Sequence, residues 1–192
     1  MAFACRSKLV ASATLAMVSF AILGMGMEKA VADSTVTRRM FQVEHIKMAT
    51  SKKFADVQAA LESAIPQLDP AILEALAKGD ERRATELERG APLFIFLKRD
   101  HGALLRVVGQ PRKAVQYDIG NPHTASKMTR HRVAAGLYAP VRVFLYEDAE
   151  GGSIFEYDRP SSLFGQFDDE QVSAVARGLD AALERALRRA AE

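Results

Sequence analysis

Tryptophan is absent from the 192-residue chain, and cysteine occurs once, at Cys5. One thiol forms no intramolecular disulfide, no Cys-x-x-Cys redox pair and no Cys-ligated zinc, iron–sulfur or c-type haem centre. No His-x-x-x-His pair occurs, because His45, His101, His123 and His131 are scattered. The phosphate-cradling loops Gly-x-Gly-x-x-Gly and Gly-Lys-Ser are missing, which removes the sequence ground for nucleotide binding. Ser161-Ser162 lacks the Gly-x-Ser-x-Gly setting of a serine hydrolase. Neither sign of charge dominates: 26 Lys and Arg stand against 24 Asp and Glu, a formal charge of +2. A near-neutral balance gives no general electrostatic reason to bind nucleic acid, and no nucleic-acid partner is expected. With 48% hydrophobic and 26% charged residues, disordered, collagen-like and multi-span membrane chains are excluded.

Long uncharged runs are also lacking, with one exception. Arg6 and Lys8 precede Leu9 to Met27, which carries no charge, and Ala30-Val31-Ala32 follows. A basic start, an apolar stretch and small residues two apart have the form of an export signal, with the cut before Asp33. The rival is a retained anchor, since a membrane span needs about 20 apolar residues. Ser12, Thr14, Ser19, Gly24 and Gly26 dilute the run and favour cleavage. The expectation is a signal peptide over 1–32 and a periplasmic or secreted domain over 33–192, with no stable membrane span. Cys5 precedes the apolar run, so it is not a lipobox cysteine and leaves with the signal. Removing three basic side chains and one acidic one leaves 23 of each, so the mature chain is neutral and free of cysteine.

Periodicity then gives the elements. Alternation over 38–49 predicts a strand with an irregularity near His45. Thr50 or Ser51 is the expected cap of a helix striped by Phe54, Val57, Leu61 and Ile65. Asp69-Pro70 opens a second helix that Gly79 stops, and Asp80 caps a third that ends by Gly90, together a peripheral hairpin. Leu93 to Leu97 is uninterruptedly apolar, as in a strand buried on both faces. The stretch 103–108 suits a helical turn or a strand equally. A strand is expected over Ala114 to Ile119, and a helix over Ala125 to Leu137 with Met128, Val133 and Leu137 apolar. Val141, Val143 and Leu145 alternate with Phe144 and Tyr146 in the clearest strand. The glycine-bearing loop 148–152 returns it as a hairpin to Ser153 to Tyr157. A long C-terminal helix has Asp168, Asp169 and Glu170 at its start, Arg185, Arg188 and Arg189 at its end, and a stripe of Val172, Val175, Leu179, Leu183 and Leu187. The fold class is α+β: a compact two-layer sandwich, its mostly antiparallel sheet covered by helices.

Several landmarks fall in a fixed order. Asp100-His101 follows a buried strand; then come Gly120-Asn121-Pro122, Met128, Pro140-Val141-Arg142-Val143, Tyr146-Glu147-Asp148 and Tyr157-Asp158-Arg159-Pro160. This order resembles the bacterial family catalogued as domain of unknown function 302, over about residues 38–165. The resemblance implies a compact α/β sandwich and a homodimer, and brings no established reaction. Two departures stand out: a helical insertion at about 66–90, and His123-Thr124-Ala125-Ser126-Lys127 where many members carry Gly-Thr before Leu-Met.

Candidate chemistry follows from the polar landmarks. His101 brings an imidazole, a side chain suited to proton transfer, to a place where substrate-facing groups project, although Asp100 and His101 also suit a helix cap. Asn121 offers a donor and an acceptor at a turn, with His123 beside it. Arg142 lies on an apolar strand, able to hold a ligand carboxylate or phosphate, or to pair with Glu147, Asp148 or Glu156. The leading expectation is a ligand pocket shared by Asp100, His101, Asn121, His123 and Arg142, with walls from Phe94, Phe96 and Phe144. It would take a small, partly apolar ligand, with no cofactor. Alternatives are an enzyme using His101 as acid/base, a haem or metal carrier through Met128 and His131 at i, i+3, and a structural role in an envelope assembly. The sequence does not decide whether the protein is an enzyme.

Overall fold

Strict alternation in the apolar stretches builds a five-stranded sheet, and the 3-4-4 stripes supply the helices that cover it. A computed structural model describes residues 34–192; the expected signal peptide lies outside the described residues. The first half runs β1 (His45–Thr50), α1 (Phe54–Ala64), α2 (Pro70–Ala77), α3 (Glu81–Glu88), β2 (Phe94–Asp100) and α4 (His101–Val107). The second runs β3 (Ala114–Gly120), α5 (Pro122–Thr129), β4 (Val141–Glu147), β5 (Ser153–Asp158), α6 (Pro160–Phe164) and α7 (Glu170–Ala191). Short 3-10 turns occupy Val133–Tyr138 and Gly165–Phe167. The strand order is β1-β5-β4-β3-β2, with every neighbouring pair antiparallel. Among the described residues no helix is long and apolar enough to cross a membrane.

One face of the sheet is the core face. Val115, Tyr117 and Ile119 of β3, Val141, Val143 and Leu145 of β4, and Phe155 and Tyr157 of β5 are buried there. Against them pack Phe54, Val57 and Leu61 of α1, Met128 of α5, and Val172, Ala176, Leu179, Leu183 and Leu187 of α7. Asp169 caps α7 by accepting from the N–H groups of Gln171 and Val172, and Arg188 and Arg189 close it at the negative end. A second, smaller cluster of Ile72, Ala75, Ala84 and Phe94 docks the α2–α3 hairpin on β2. Asp69 and Asp80 cap those two helices as the sequence suggests.

Four local expectations need correction. The strand begins at His45, not at residue 38, because Asp158 is the last β5 residue with a β1 partner before α6 starts. Residues 39–44 instead form an arm, held by an Arg39–Asp168 ion pair of 2.8 Å and an Arg159 N–H donated to Glu44 O at 2.8 Å. Neither Thr50 nor Ser51 caps α1; Lys53 stands at the cap, and the Thr50 hydroxyl donates to Ala191 O, tying β1 to the end of α7. The apolar run at Leu93 is buried on both faces only through Ile95, and Leu97 is half-exposed because β2 is an edge strand. Its free edge is partly occupied by residues 66–68, where Ile95 N–H donates to Pro66 O and Leu68 N–H to Ile95 O. The helix expected over Ala125 to Leu137 starts at Pro122 and stops at Thr129, which leaves Val133 and Leu137 in the 3-10 turn, 85% and 79% exposed.

Candidate functional site

The Gly120-Asn121-Pro122 triplet is built by turn chemistry. Gly120 ends β3 where a Cβ would lie 3.3 Å from Pro140 Cβ, a tight approach that glycine avoids. Asn121 is buried and caps α5: its Oδ1 accepts from Thr124 N–H at 2.8 Å, and its Nδ2 donates to Ala91 O at 3.5 Å. Pro122 occupies the first helical position, where its missing N–H costs nothing. Below this turn lies a cavity of about 380 Å³. Phe96, Ile119, Met128, Val141 and Leu179 form its apolar walls, and α5 with its cap adds Asn121, Thr124, Ser126 and Thr129.

The opposite face of the sheet carries a row of charges across four strands and onto the β2 edge. Arg99 holds Asp118 as a fork, Nη1 to Oδ1 and Nη2 to Oδ2, both 2.9 Å. Pairing sets Asp118 beside Arg142 on β4, and one step beyond the Val143–Tyr157 pair of β4 and β5 come Arg142 and Asp158, which line one cavity. His45 Nδ1 lies 2.9 Å from Asp158 Oδ1, with Nε2 3.5 Å from Glu156 Oε2. Tyr146 donates its hydroxyl to Glu156 Oε1 at 2.7 Å, and its phenol is pushed up to about 12, by burial first and then by that carboxylate. A cavity of about 550 Å³ opens on this face, lined by Arg99, Asp118, Arg142 and Asp158 with Leu137 and Tyr138. Arg142 does not pair with Glu147, Asp148 or Glu156. Lys113 takes Glu147, Asp148 accepts from Glu150 and Gly152 N–H in its own turn, and the register sets Phe144, not Arg142, opposite Glu156.

His45 gives a direct check on this face. The hydrogen bond to Asp158 raises its pKa above the ordinary imidazole value, and the charges of Asp158 and Glu156 add to that against the opposing cost of burial. A raised folded-state pKa means the stabilisation is complete below the unfolded value and lost as pH rises through the folded one. In an NMR titration His45 should reach its midpoint above an unperturbed histidine and move down toward it in Asp158→Asn. A His45 midpoint indifferent to that substitution would remove the charge row from the account.

The remaining candidates are dispersed. Asp100 caps α4, its Oδ1 accepting from Ala103 N–H at 2.9 Å. His101 begins that helix and meets Phe144 edge-on, with ring centroids 5.4 Å apart. It lines a separate cavity of about 280 Å³ with Leu104, Leu105 and Tyr146, and its ring has no hydrogen-bond partner among the described residues. His123 Nδ1 stands 3.9 Å from Glu88 Oε2, across from the hairpin. The shared pocket expected for Asp100, His101, Asn121, His123 and Arg142 therefore does not form. The reason lies in strand direction: β2 and β3 are antiparallel with Phe94 opposite Gly120, so Asp100 lies six residues, about 20 Å, from the Asn121 end. Arg142 is separated in another way, by projecting from the face opposite the core. Met128 and His131 are parted too. Met128 is buried and lines the Asn121 cavity, whereas α5 has ended before His131, which is exposed. Among the described residues no group of three or more His, Cys, Asp and Glu could hold a metal ion.

The sequence singles out Phe96 as a pocket wall, Leu179 only as part of a helix stripe and Asp158 only as a family landmark, and Arg99 and Asp118 not at all. For Asp118 a signal existed: it alternates with Tyr117 and Ile119 exactly out of phase with the core, as Arg142 does with Val141 and Val143. Pairing the two required the register.

Residues 81–190 match the family described as domain of unknown function DUF302. The chain belongs to that family. Its matched segment runs from α3 to the last turn of α7, and so includes the main walls of all three cavities. Among solved structures, the chain is similar to the crystal structure of an uncharacterized conserved DUF302 protein from Bacillus stearothermophilus. The two share 15% identity at a TM-score of 0.56, covering 76% of this chain and 97% of that one. At that identity the likeness speaks for the DUF302 fold alone. No curated protein matches the chain.

Proposed function

We propose that this DUF302 protein is an exported, homodimeric carrier or sensor that binds a small, largely apolar molecule in the cavity beneath Asn121. One observation carries the reading: a space of about 380 Å³ walled by Phe96, Ile119, Met128, Val141 and Leu179, with a few polar residues contributed by α5 and its cap. Volumes of about 300–1,000 Å³ with mostly apolar walls and a few placed polar groups are those of small-molecule sites. Asn121 is the polar handle of the earlier five-residue set that this site retains. Export is supported by the basic-apolar-small pattern of residues 1–32, and the homodimer by family resemblance.

Native mass spectrometry of the protein from an envelope fraction tests all three parts at once. The expected species is a dimer of chains beginning at Asp33 with a bound small molecule. Ala125→Trp places an indole into the cavity mouth, and should leave the dimer and the fold intact while releasing the ligand. A ligand-free wild type, or equal retention by the variant, would sink the binding reading; a cytoplasmic uncut chain would sink export.

A further inference from the structure

The row on the open sheet face reads, in order, Arg99, Asp118, Arg142, Asp158, His45, so basic and acidic side chains alternate from β2 to β1. Its two carboxylates have two neighbours each, and both are taken from the outside. Arg99 binds both oxygens of Asp118, and His45 binds Asp158. Arg142, in the middle, is left with neither an ion-pair partner nor a side-chain hydrogen bond among the described residues. A guanidinium presents five donors in a fixed planar fork suited to two carboxylate oxygens at once. It lines the cavity of about 550 Å³, to which Leu137, Tyr138 and Leu163 add apolar surface. Leu137 is 79% exposed, an apolar surface left bare beside the unpaired cation.

From this juxtaposition we infer that Arg142 is the anchor of a second site, which binds a monocarboxylate carried on an apolar body. The carboxylate takes the Arg142 fork, and the body lies on Leu137 and Tyr138. The charge arithmetic favours a monoanion. Arg142 lies between two carboxylates it makes no ion pair with, so its fork can take one carboxylate group, whereas the second charge of a phosphate dianion would be set against Asp118 and Asp158. The site lies outside the Asn121 cavity, on the other side of the segment Ala139-Pro140-Val141 that both cavities touch. It does not rest on the function proposed above.

The test titrates the protein with octanoate, octan-1-ol and inorganic phosphate, reading heat and the arginine Nε–H NMR signals. Octanoate is expected to saturate and to shift the Arg142 signal, with octanol and phosphate weaker by about tenfold or more. Arg142→Gln should weaken octanoate by about tenfold or more, the loss expected for a hydrogen bond to a charged group. Arg142→Lys keeps the charge without the fork and should fall between the two. Arg142 is solvent-exposed, so circular dichroism should show both variants folded. Ala125→Trp separates the two sites: if it abolishes octanoate binding while Arg142→Gln does not, this inference is overturned and the Asn121 site stands. No saturable octanoate binding, or phosphate binding tighter than octanoate, also overturns it.

Discussion

Phe155→Ala is expected to lower the free energy of unfolding by about 3–5 kcal/mol, the range for truncating a buried phenylalanine. Phe155 is fully buried on β5, with Leu145 of β4 and Met48 of β1 as its cross-strand neighbours. Above it lies the helix layer of α1 and α7, so the vacated space is bounded by three strands and two helices and has little freedom to collapse. Domains have only about 5–15 kcal/mol in total, so this one ring accounts for a large share. At this size each kcal/mol shifts the melting temperature by about 2–4 °C, which makes the expected drop roughly 10 °C. Leu137→Ala is the comparison, since that side chain is 79% exposed and its loss should stay within about 0.5 kcal/mol. Urea unfolding of the two variants decides the matter. Similar midpoints would mean that Phe155 is not where the packing places it.

The contrast between those two residues also shows what the sequence made legible. Long elements with one dominant period were readable end to end. Helix α7 shows its stripe at Val172, Leu179, Leu183 and Leu187, and β4 shows its alternation, because burial on one face imposes a period that nothing local competes with. Leu137 misled for the converse reason. It continues the apolar spacing from Met128, but the chain has left α5 at Thr129, and its exposure depends on where the next element lies rather than on local pattern. The arm at 39–44 misled similarly: Phe41 and Val43 alternate as a strand would, yet no β5 residue remains beyond Asp158 to pair with them.

The site was less legible than the fold, and register is the cause. Asp100, His101, Asn121 and Arg142 each stand at a strand end or on a strand, which is all a sequence shows. Whether they meet depends on which ends lie together, and the antiparallel pairing of Phe94 with Gly120 sends Asp100 away from Asn121. The same register brings Asp118, Arg142 and Asp158 into one row, although they are far apart along the chain.

A polar cluster that no local pattern announces carries the second large effect. Glu62 sits on α1 beside the buried Leu61, and one of its oxygens, Oε1, accepts from three donors: Tyr117 Oη at 2.6 Å, Lys98 Nζ at 2.6 Å and Gln58 Nε2 at 3.0 Å. Tyr117 is fully buried, and burial pushes its phenol far up, with Glu62 adding to the shift. It must therefore remain a neutral donor. Glu62→Leu leaves that hydroxyl without its acceptor and should cost about 1–3 kcal/mol, the penalty of an unsatisfied buried group. Tyr117→Phe removes the hydroxyl itself and should cost about 1 kcal/mol. Because the two share one bond, the double variant should cost less than the sum, by about 0.5–3 kcal/mol. The pH dependence has a definite sign. Burial raises the Glu62 pKa, but the hydrogen bonds from Lys98, Tyr117 and Gln58 outweigh it and hold the carboxyl below its ordinary value. A depressed folded-state pKa gives stability that is complete above the unfolded value and lost as pH falls through the folded one. The gap between wild type and Glu62→Leu should therefore narrow on acidification. Additive single variants, or a gap that persists unchanged into acid, would show that Tyr117 and Lys98 do not depend on an ionised Glu62.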